Sequence, residues 1–381
     1  MEKKIILVCG EPSGDLQAGL LVSKLKESDK DIRVFAVGGE NLRRVGAEIF
    51  QDIKGLSVLG FFDALKKINE FKRLMRTVLA KIEEVKPDAV ILVDFSGFNL
   101  RLAKKVNKRF KTIYYISPQV WASRRGRVET IKKYIDKMLV IFEFEKEFYA
   151  QFGIEAEFVG HPLLDIVKPS MSKEAARQEF RLKEESPVFA LLPGSRTGEV
   201  KKILPIMLKS ARLIQEKIPD AQFIISKPGN TDKNVYALIL SRYKLEIKLI
   251  ESRQYDCLNA ADFVLVCSGT ATLETAIMQK PNVVIYKMGL LNYLLYRPLV
   301  KIPFIGMENI VAEKLVAPEF IQFKARPKAI AAKVVEIFQD KKQYELTRKE
   351  LAGIKEKLGE TQGPLRAAKI VLALINSANN G

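Results

Sequence analysis

Short apolar runs bounded by turn residues alternate along the chain with longer stretches in which apolar positions recur every three or four residues. In the first half the runs are Ile5 to Cys9, Val34 to Val37, Ala89 to Val93, Thr112 to Ile116 and Lys137 to Ile141. A second series comprises Val188 to Leu192, Gln222 to Ile225, Ile247 to Leu249, Phe263 to Cys267 and Asn282 to Tyr286. Runs this short and this apolar fit strands covered on both faces, and their alternation with helical patterns predicts parallel α/β sheets. Between the series stands Asp165-Ile166-Val167-Lys168-Pro169. Two doubly wound, Rossmann-like domains facing a cleft are therefore expected, joined near residues 166–175. The expected boundaries are 1–168 and 169–340, followed by a Lys-rich helical tail, 341–381, that packs back across the domains. A length of 381 residues also exceeds what one core usually organises.

In doubly wound sheets ligands bind beyond the carboxyl ends of the strands, so the turns after strands are where chemistry is sought. Five stand out. Gly10-Glu11-Pro12-Ser13-Gly14-Asp15 leads into a helix expected near Leu16; it reads either as a close-approach loop or as a helix entry capped by Ser13 or Asp15. It lacks GxGxxG, which argues against nucleotide binding there. Asp94-Phe95-Ser96-Gly97-Phe98-Asn99 places a carboxylate at a strand end, suited to general-base work or to capping. Ser117-Pro118-Gln119-Val120-Trp121 precedes Arg124, Arg125 and Arg127, either a solvated basic helix start or a clamp for an acceptor phosphate or headgroup. Leu191-Leu192-Pro193-Gly194-Ser195-Arg196 ends in a guanidinium whose forked donors suit a diphosphate. Cys267-Ser268-Gly269-Thr270-Ala271-Thr272-Leu273-Glu274 offers N–H groups at a helix start, with Glu274 one turn in for ribose hydroxyls; a Ser/Thr cap explains the same letters. Two such turns in one domain, one bringing an arginine, favour a nucleoside-diphosphate pocket.

Composition narrows the class. With 48% hydrophobic and 28% charged residues, disorder and collagen-like structure are excluded. A balance of 63 basic against 45 acidic residues leaves +18, which attracts phosphates, nucleic acid or an anionic membrane. No nucleic-acid module is recognised and the basic residues are dispersed among acids, which argues against nucleic acid. Cys9, Cys257 and Cys267 form no CxxC pair, and His161 is the single histidine, so neither a disulfide framework nor a zinc site is expected. The opening Met1-Glu2-Lys3-Lys4 and its short apolar run make no signal peptide and read as the first strand of a cytoplasmic protein. Met288 to Met307 is interrupted by Arg297, Pro298, Lys301 and Pro303, and is expected to lie on a bilayer, if anything, rather than span one.

Taken together, GEPSGD (10–15), DFSGFN (94–99), YISPQVWASRRGRV (115–128), FVGHPLLD (158–165), LLPGSRTGEV (191–200) and SGTATLETA (268–276) resemble the lipid-A-disaccharide synthase family, in this order and over nearly the whole chain. The resemblance implies a GT-B-type inverting glycosyltransferase with an acceptor-binding N-terminal domain and a UDP-sugar-binding C-terminal one. Its substrates would be UDP-2,3-diacylglucosamine and 2,3-diacylglucosamine 1-phosphate (lipid X), its products UDP and the β-linked lipid A precursor, with no cofactor and no metal. Asp94 would be the general base. Ser13, Gly14, Asp15, Asn99, Gln119, Trp121 and His161 would line the acceptor side, and Ser195, Arg196, Ser268, Gly269, Thr270, Thr272, Glu274 and Asn309 the donor side. The sequence departs from the family's pattern at Glu308, before Asn309, where Pro is frequent, and in the middle of 94–99. Another UDP-sugar transferase or an epimerase of the same architecture is the alternative.

Acylated substrates give the charge a purpose: attachment to the cytoplasmic face of an anionic inner membrane. Phe61, Leu65, Ile68, Met75, Leu79 and Ile82 trace one apolar helical stripe read as core. Phe62 and Leu74 fall off it and, with Lys66, Lys67, Lys72, Arg73 and Arg76, are one expected membrane contact; Met288 to Met307 is the other. The oligomeric state is left open.

Overall fold

The first sheet takes the order β3-β2-β1-β4-β5-β6-β7, built from β1 (Lys3–Val8), β2 (Ile32–Gly38), β3 (Glu48–Asp52), β4 (Ala89–Val93), β5 (Lys111–Tyr115), β6 (Lys137–Val140) and β7 (Ala156–Phe158). The second takes the order β10-β9-β8-β11-β12-β13, from β8 (Val188–Leu192), β9 (Gln222–Lys227), β10 (Ile247–Glu251), β11 (Phe263–Cys267), β12 (Asn282–Tyr286) and β13 (Glu319–Ile321). All the strand pairs are parallel. The computed structural model describes residues 2–54, 68–229, 231–300 and 302–379.

The chain forms two units, one of Met1–Asp165, Leu294–Lys301 and Leu358–Gly381, the other of Ile166–Tyr293 and Ile302–Lys357. In the second unit, successive residues of one strand face opposite cores. Phe189 and Leu191 point into the layer under the helices Thr197–Gln215 and Pro327–Gln339, whereas Val188, Ala190 and Leu192 meet Ala176, Cys257 and Leu258 on the other face. This is why β8 reads as an unbroken apolar run. Phe189 sits among Phe223, Phe263 and Phe338 at ring separations of 5.6, 6.2 and 5.1 Å. The helix Lys341–Lys357 belongs to this unit, while Gly363–Asn379 returns to the first unit and packs on the helix Pro12–Ser28.

A polar clasp fixes that return. Arg366 donates to the carbonyls of Val159 (2.8 Å), Thr361 (2.8 Å) and Glu360 (2.7 Å). Gly160 has φ +84°, and a Cβ there would lie 2.5 Å from the Arg366 guanidinium and 2.9 Å from the Glu360 carbonyl.

One expectation is corrected. In the helix Ile68–Val85 the buried positions are Leu74, Val78, Ile82 and Val85, packed toward the helix Ser96–Val106. Leu74 is 3% exposed and is core, whereas Ile68, assigned to the stripe, is 43% exposed. The 4-4-3 spacing of 74, 78, 82 and 85 follows the helical repeat and sets the face; Met75 and Leu79 flank it, half-buried. Leu74 is thereby removed as a membrane contact. Phe61, Phe62, Leu65, Lys66 and Lys67 lie outside the described residues.

Two glycine substitutions test this account with opposite signs. Gly160→Ala meets both a left-handed φ and a backbone carbonyl, and is expected to destabilise the protein by about 1–3 kcal/mol in urea denaturation. Gly353→Ala, in a helix with open space at its Cβ, is expected to stabilise by about 0.5–1 kcal/mol. A neutral Gly160→Ala would remove the clasp from the account.

Candidate active site

Strand order reverses between β1 and β4 in the first sheet and between β8 and β11 in the second. At such a reversal the two connections leave for opposite faces, and the carboxyl ends of the neighbouring strands stay uncovered. Four of the five sequence turns fall at these two points: residues 10–15 and 94–99 follow β1 and β4, and 193–196 and 268–274 follow β8 and β11.

After β1 the helix begins at Pro12, earlier than the expected Leu16, because proline's fixed φ suits a first helical turn. Ser13, Gly14 and Asp15 therefore lie within the helix. Neither Ser13 nor Asp15 caps it. Asp15 is buried, and its carboxylate caps a different helix, Glu40–Arg44. Oδ1 accepts from the Gly39 N–H (2.6 Å), and Oδ2 from the N–H and side-chain amide of Asn41 (both 2.9 Å). Gly14 is buried against Cys9, and Ser13 is half-exposed.

After β4, Asp94 and Phe95 both take left-handed backbone, at φ +45° and +46°, before the helix Ser96–Val106. Three contacts hold this reversal. The buried Asn99 amide donates to the carbonyls of Val8 (3.2 Å), Val93 (3.2 Å) and Asp94 (2.9 Å), tying the ends of β1 and β4 together. The Tyr114 hydroxyl donates to the Asp94 carbonyl. The Phe95 ring occupies the space where a Cβ on Gly10 would stand, 2.3 Å away. Asn99 thus fixes the backbone that carries the half-buried Asp94.

After β5, Glu145 organises the third turn. It is buried in the first turn of the helix Glu143–Ala150, and its Oε1 accepts from the Ser117 hydroxyl (2.7 Å) and the Trp121 indole N–H (3.0 Å). Tyr149 donates to Ser117 (3.2 Å). Trp121 is buried edge-on against Phe144, its N–H engaged with Glu145, while Gln119 is exposed at the tip of the turn. His161 is also buried: its Nδ1 accepts from the Leu163 N–H (3.1 Å), and burial lowers its pKa to about 3, so the ring is neutral. Neither Glu145 nor Tyr114 was singled out from sequence. The only signal was an acid set among aromatics in Phe142-Glu143-Phe144-Glu145.

In the second unit, Gly194 (φ +110°) lets the β8 turn close on β11: a Cβ there would meet Glu199 Oε2 at 2.6 Å and Cys267 Sγ at 3.3 Å. Glu199 accepts from the Arg196 N–H (3.3 Å) and guanidinium (3.2 Å), holding Arg196 at the head of the helix Thr197–Gln215, with Ser195 exposed beside it. Across from it, Gly269 (φ +149°) and Thr270 are exposed at the start of the helix Thr270–Ile277, with open space around Gly269. The Ser268 hydroxyl donates to the Ile305 carbonyl (2.9 Å), and Thr272 Oγ1 accepts from the Met307 N–H (3.1 Å). Glu274 is 8% exposed and accepts from Tyr255 (3.0 Å) and Gln254. Asn309 is fully buried. Its amide donates to Ala317 (2.7 Å) and Glu319 (2.9 Å), and its oxygen accepts from the Val316 and Ala317 N–H groups (both 2.8 Å). Its hydrogen-bonding capacity is spent on the loop that meets Ser268 and Thr272. The two turns together offer a guanidinium and a helix start to an anion.

Residues 5–371 match the family model of lipid-A-disaccharide synthetase. The lipid-A-disaccharide synthase of Syntrophus aciditrophicus is 40% identical over 379 residues, covering 99% of each chain, and that of Geobacter sulfurreducens is 39% identical over 373 residues, covering 98% of this chain and 97% of that one. Among solved structures, a putative UDP-N-acetylglucosamine 2-epimerase from Listeria monocytogenes superposes with a TM-score of 0.67 at 14% identity, covering 99% of this chain and 97% of that one. The calicheamicin glycosyltransferase CalG4 superposes with a TM-score of 0.60 at 15% identity over 99% of each chain. These two likenesses bear on the fold alone.

Glu145 yields a pH test. Burial raises its carboxyl from 4.5 to about 7, against the hydrogen bonds from Ser117 and Trp121. The folded chain holds this proton more tightly than the unfolded chain. Its stabilising contribution is therefore complete below about pH 4.5 and is lost as pH rises through about 7. Glu145→Gln is uncharged throughout, so between these pH values its stability relative to the parent should improve by up to about 3 kcal/mol. Urea denaturation of both proteins across that range measures it; a pH-independent difference would contradict it.

Proposed function

The chain belongs to the lipid-A-disaccharide synthase family, and on that premise we propose that it transfers diacylglucosamine from UDP-2,3-diacylglucosamine to 2,3-diacylglucosamine 1-phosphate by one inverting displacement. It is a glycosyltransferase of lipid A biosynthesis with the two-domain GT-B fold. Asp94 takes the proton of the acceptor's primary hydroxyl as that oxygen attacks the anomeric carbon; the bond to UDP breaks, and the new linkage has the opposite configuration. The observation that carries this role is the left-handed Asp94-Phe95 pair at the β1/β4 reversal, held by Asn99, Tyr114 and Gly10. A base held this firmly needs little reorganisation during proton transfer.

Negative charge growing on the departing diphosphate is met by Arg196 and by the N–H groups of Gly269, Thr270 and Ala271 at the helix start, preorganised donors of the kind that stabilise developing charge. Ser195, Gly269 and Thr270 complete that cradle, and Glu274, aligned by Tyr255, accepts ribose hydroxyls. Asn309 acts by shaping the loop against Ser268 and Thr272. On the acceptor side Ser13 and Gln119 contact the sugar, while Gly14, Asp15, Asn99, Trp121 and His161 act through the turns they hold.

Peripheral attachment to an anionic bilayer is part of the same reading. No helix among the described residues is long and apolar enough to cross a membrane. The helix Leu290–Tyr296 exposes Leu290, Leu291, Leu294 and Leu295, spaced to share one side of a short helix. Each basic residue near the surface contributes about 1 kcal/mol, screened within about 8 Å at physiological ionic strength, so salt should remove the electrostatic part and leave the apolar one.

Asp94→Asn is expected to fold and bind UDP while losing about a hundredfold to ten-thousandfold in turnover. Arg196→Ala should weaken UDP binding as well as turnover, since it meets both the bound diphosphate and the charge developing on it. Product mass spectrometry and UDP calorimetry on the two variants test both roles. Near-normal turnover in the first, or unchanged UDP affinity in the second, would remove that residue from the mechanism. For attachment, Leu290→Ser/Leu291→Ser should lower the salt-resistant fraction sedimenting with anionic vesicles; an unchanged fraction would exclude this helix.

A further inference from the structure

We propose that Arg127, with Arg101 and Arg124 around it, binds the phosphomonoester of the acceptor beside the general base. The proposal rests on the acceptor reading given above and assigns the group that recognises the acceptor's charge. Arg127 Nη1 donates to the Ser96 hydroxyl at 3.1 Å, two residues after Asp94. Arg101 lies further along the same helix, Ser96–Val106, and Arg124, with left-handed backbone at φ +59°, turns the chain just before Arg127. The three cations are close enough to repel: besides burial, Arg124 and Arg101 lower the pKa of Arg127, opposed by Tyr114.

The missing element is a counterion. Other arginines shielded from solvent have carboxylate partners: Arg177 with Asp262, Arg196 with Glu199, Arg253 with Glu179 and Asp256, and Arg366 with Glu360. The arginines without such a partner among the described residues are exposed, with the single exception of Arg127. Removing a guanidinium from water without a counter-charge is unfavourable, and a bound anion reverses the sign. The surroundings select a phosphomonoester. Its charge of about −2 matches a cation cluster, and its oxygens match the guanidinium fork. Ser96 and Gly97 begin the helix with N–H groups that have no partner among the described residues, and Gly97 has open space around it. An acceptor bearing a hydroxyl and a phosphate would be held at two points, with the hydroxyl presented to Asp94.

A bilayer headgroup offers the same chemistry, so the experiment separates the two sources. Parent, Arg127→Ala, Arg127→Lys and Arg124→Ala are assayed with 2,3-diacylglucosamine 1-phosphate and with its dephosphorylated form, and are sedimented with anionic vesicles. In the parent the phosphorylated acceptor is preferred. Arg127→Ala should reduce the ratio of kcat/KM between the two acceptors by roughly ten- to hundredfold, Arg127→Lys by less because charge remains without the fork, and UDP affinity should hold. An unchanged ratio with both acceptors slowed would make Arg127 a prop for the Ser96 turn and overturn the proposal. An unchanged ratio with weaker vesicle binding would assign the cluster to headgroups, and also overturn it. A parent that makes disaccharide without distinguishing the acceptors defeats this inference alone; a parent that makes none defeats the acceptor reading as well.

Discussion

A parallel sheet must be covered on both faces, so its connections leave upward or downward, and where strand order reverses two neighbouring strand ends are left bare. This constraint acts twice here, between β1 and β4 and between β8 and β11. Four of the five candidate turns gather at those places, and the fifth follows β5, the strand next to β4. Bare strand ends expose carbonyl and N–H groups that need partners, and side chains or ligands must supply them. At the first reversal Asn99 serves three carbonyls from both strands. At the second, Glu199 and Gly194 close the β8 turn onto the end of β11.

Polar residues in and around the candidate turns divide into those that hold backbone and those left facing solvent. Asp15, Asn99 and Asn309 have the letters of ligand-binding residues, but each is buried and bonded to main-chain groups of a neighbouring segment. Replacing such a residue would strand several buried donors or acceptors at once, each costing about 1–3 kcal/mol. Their loss would mimic loss of a substrate contact by displacing the turn that makes it. Ser13, Gln119, Ser195, Gly269 and Thr270 remain accessible, which is what the proposed substrate contacts require.

The buried strands were legible because burial on both faces demands unbroken apolar runs; β4, β8, β11 and β12 have the extents read from sequence. The edge strands β3, β7 and β13 were missed. Glu48–Asp52 and Glu319–Ile321 are only partly covered and carry acids, so no apolar run marks them. The helix Ile68–Val85 was recognised as amphipathic but given the wrong face, since Leu74, Val78 and Val85 were left off the stripe and the competing leucine and methionine lie on its flank. Motif letters located the site turns, yet they carried no information about Glu145, whose importance comes from contacts with Ser117 and Trp121 more than twenty residues away in sequence. Function of that kind is tertiary and has no local signature.

Backbone strain is part of how the turns after β4 and β5 are held. Asp94, Phe95, Ile116 and Arg124 all have φ between +45° and +64°, and none is glycine. A β-branched residue there is the least tolerated, because its Cγ atoms crowd the preceding carbonyl, yet Ile116 redirects the chain from β5 into the turn that Glu145 anchors. Each such residue costs on the order of 1–3 kcal/mol and persists only where surrounding contacts over-determine it. Here they do: Tyr114 and Asn99 grip the Asp94 carbonyl, the Ile116 N–H reaches the Leu139 carbonyl at 3.0 Å, and Ser117 and Trp121 converge on one carboxylate. A relaxed loop would have been more stable and would have aimed its side chains over a range of directions. The sheet core beneath, apolar on both faces, supplies the stability that lets these turns hold a single strained geometry.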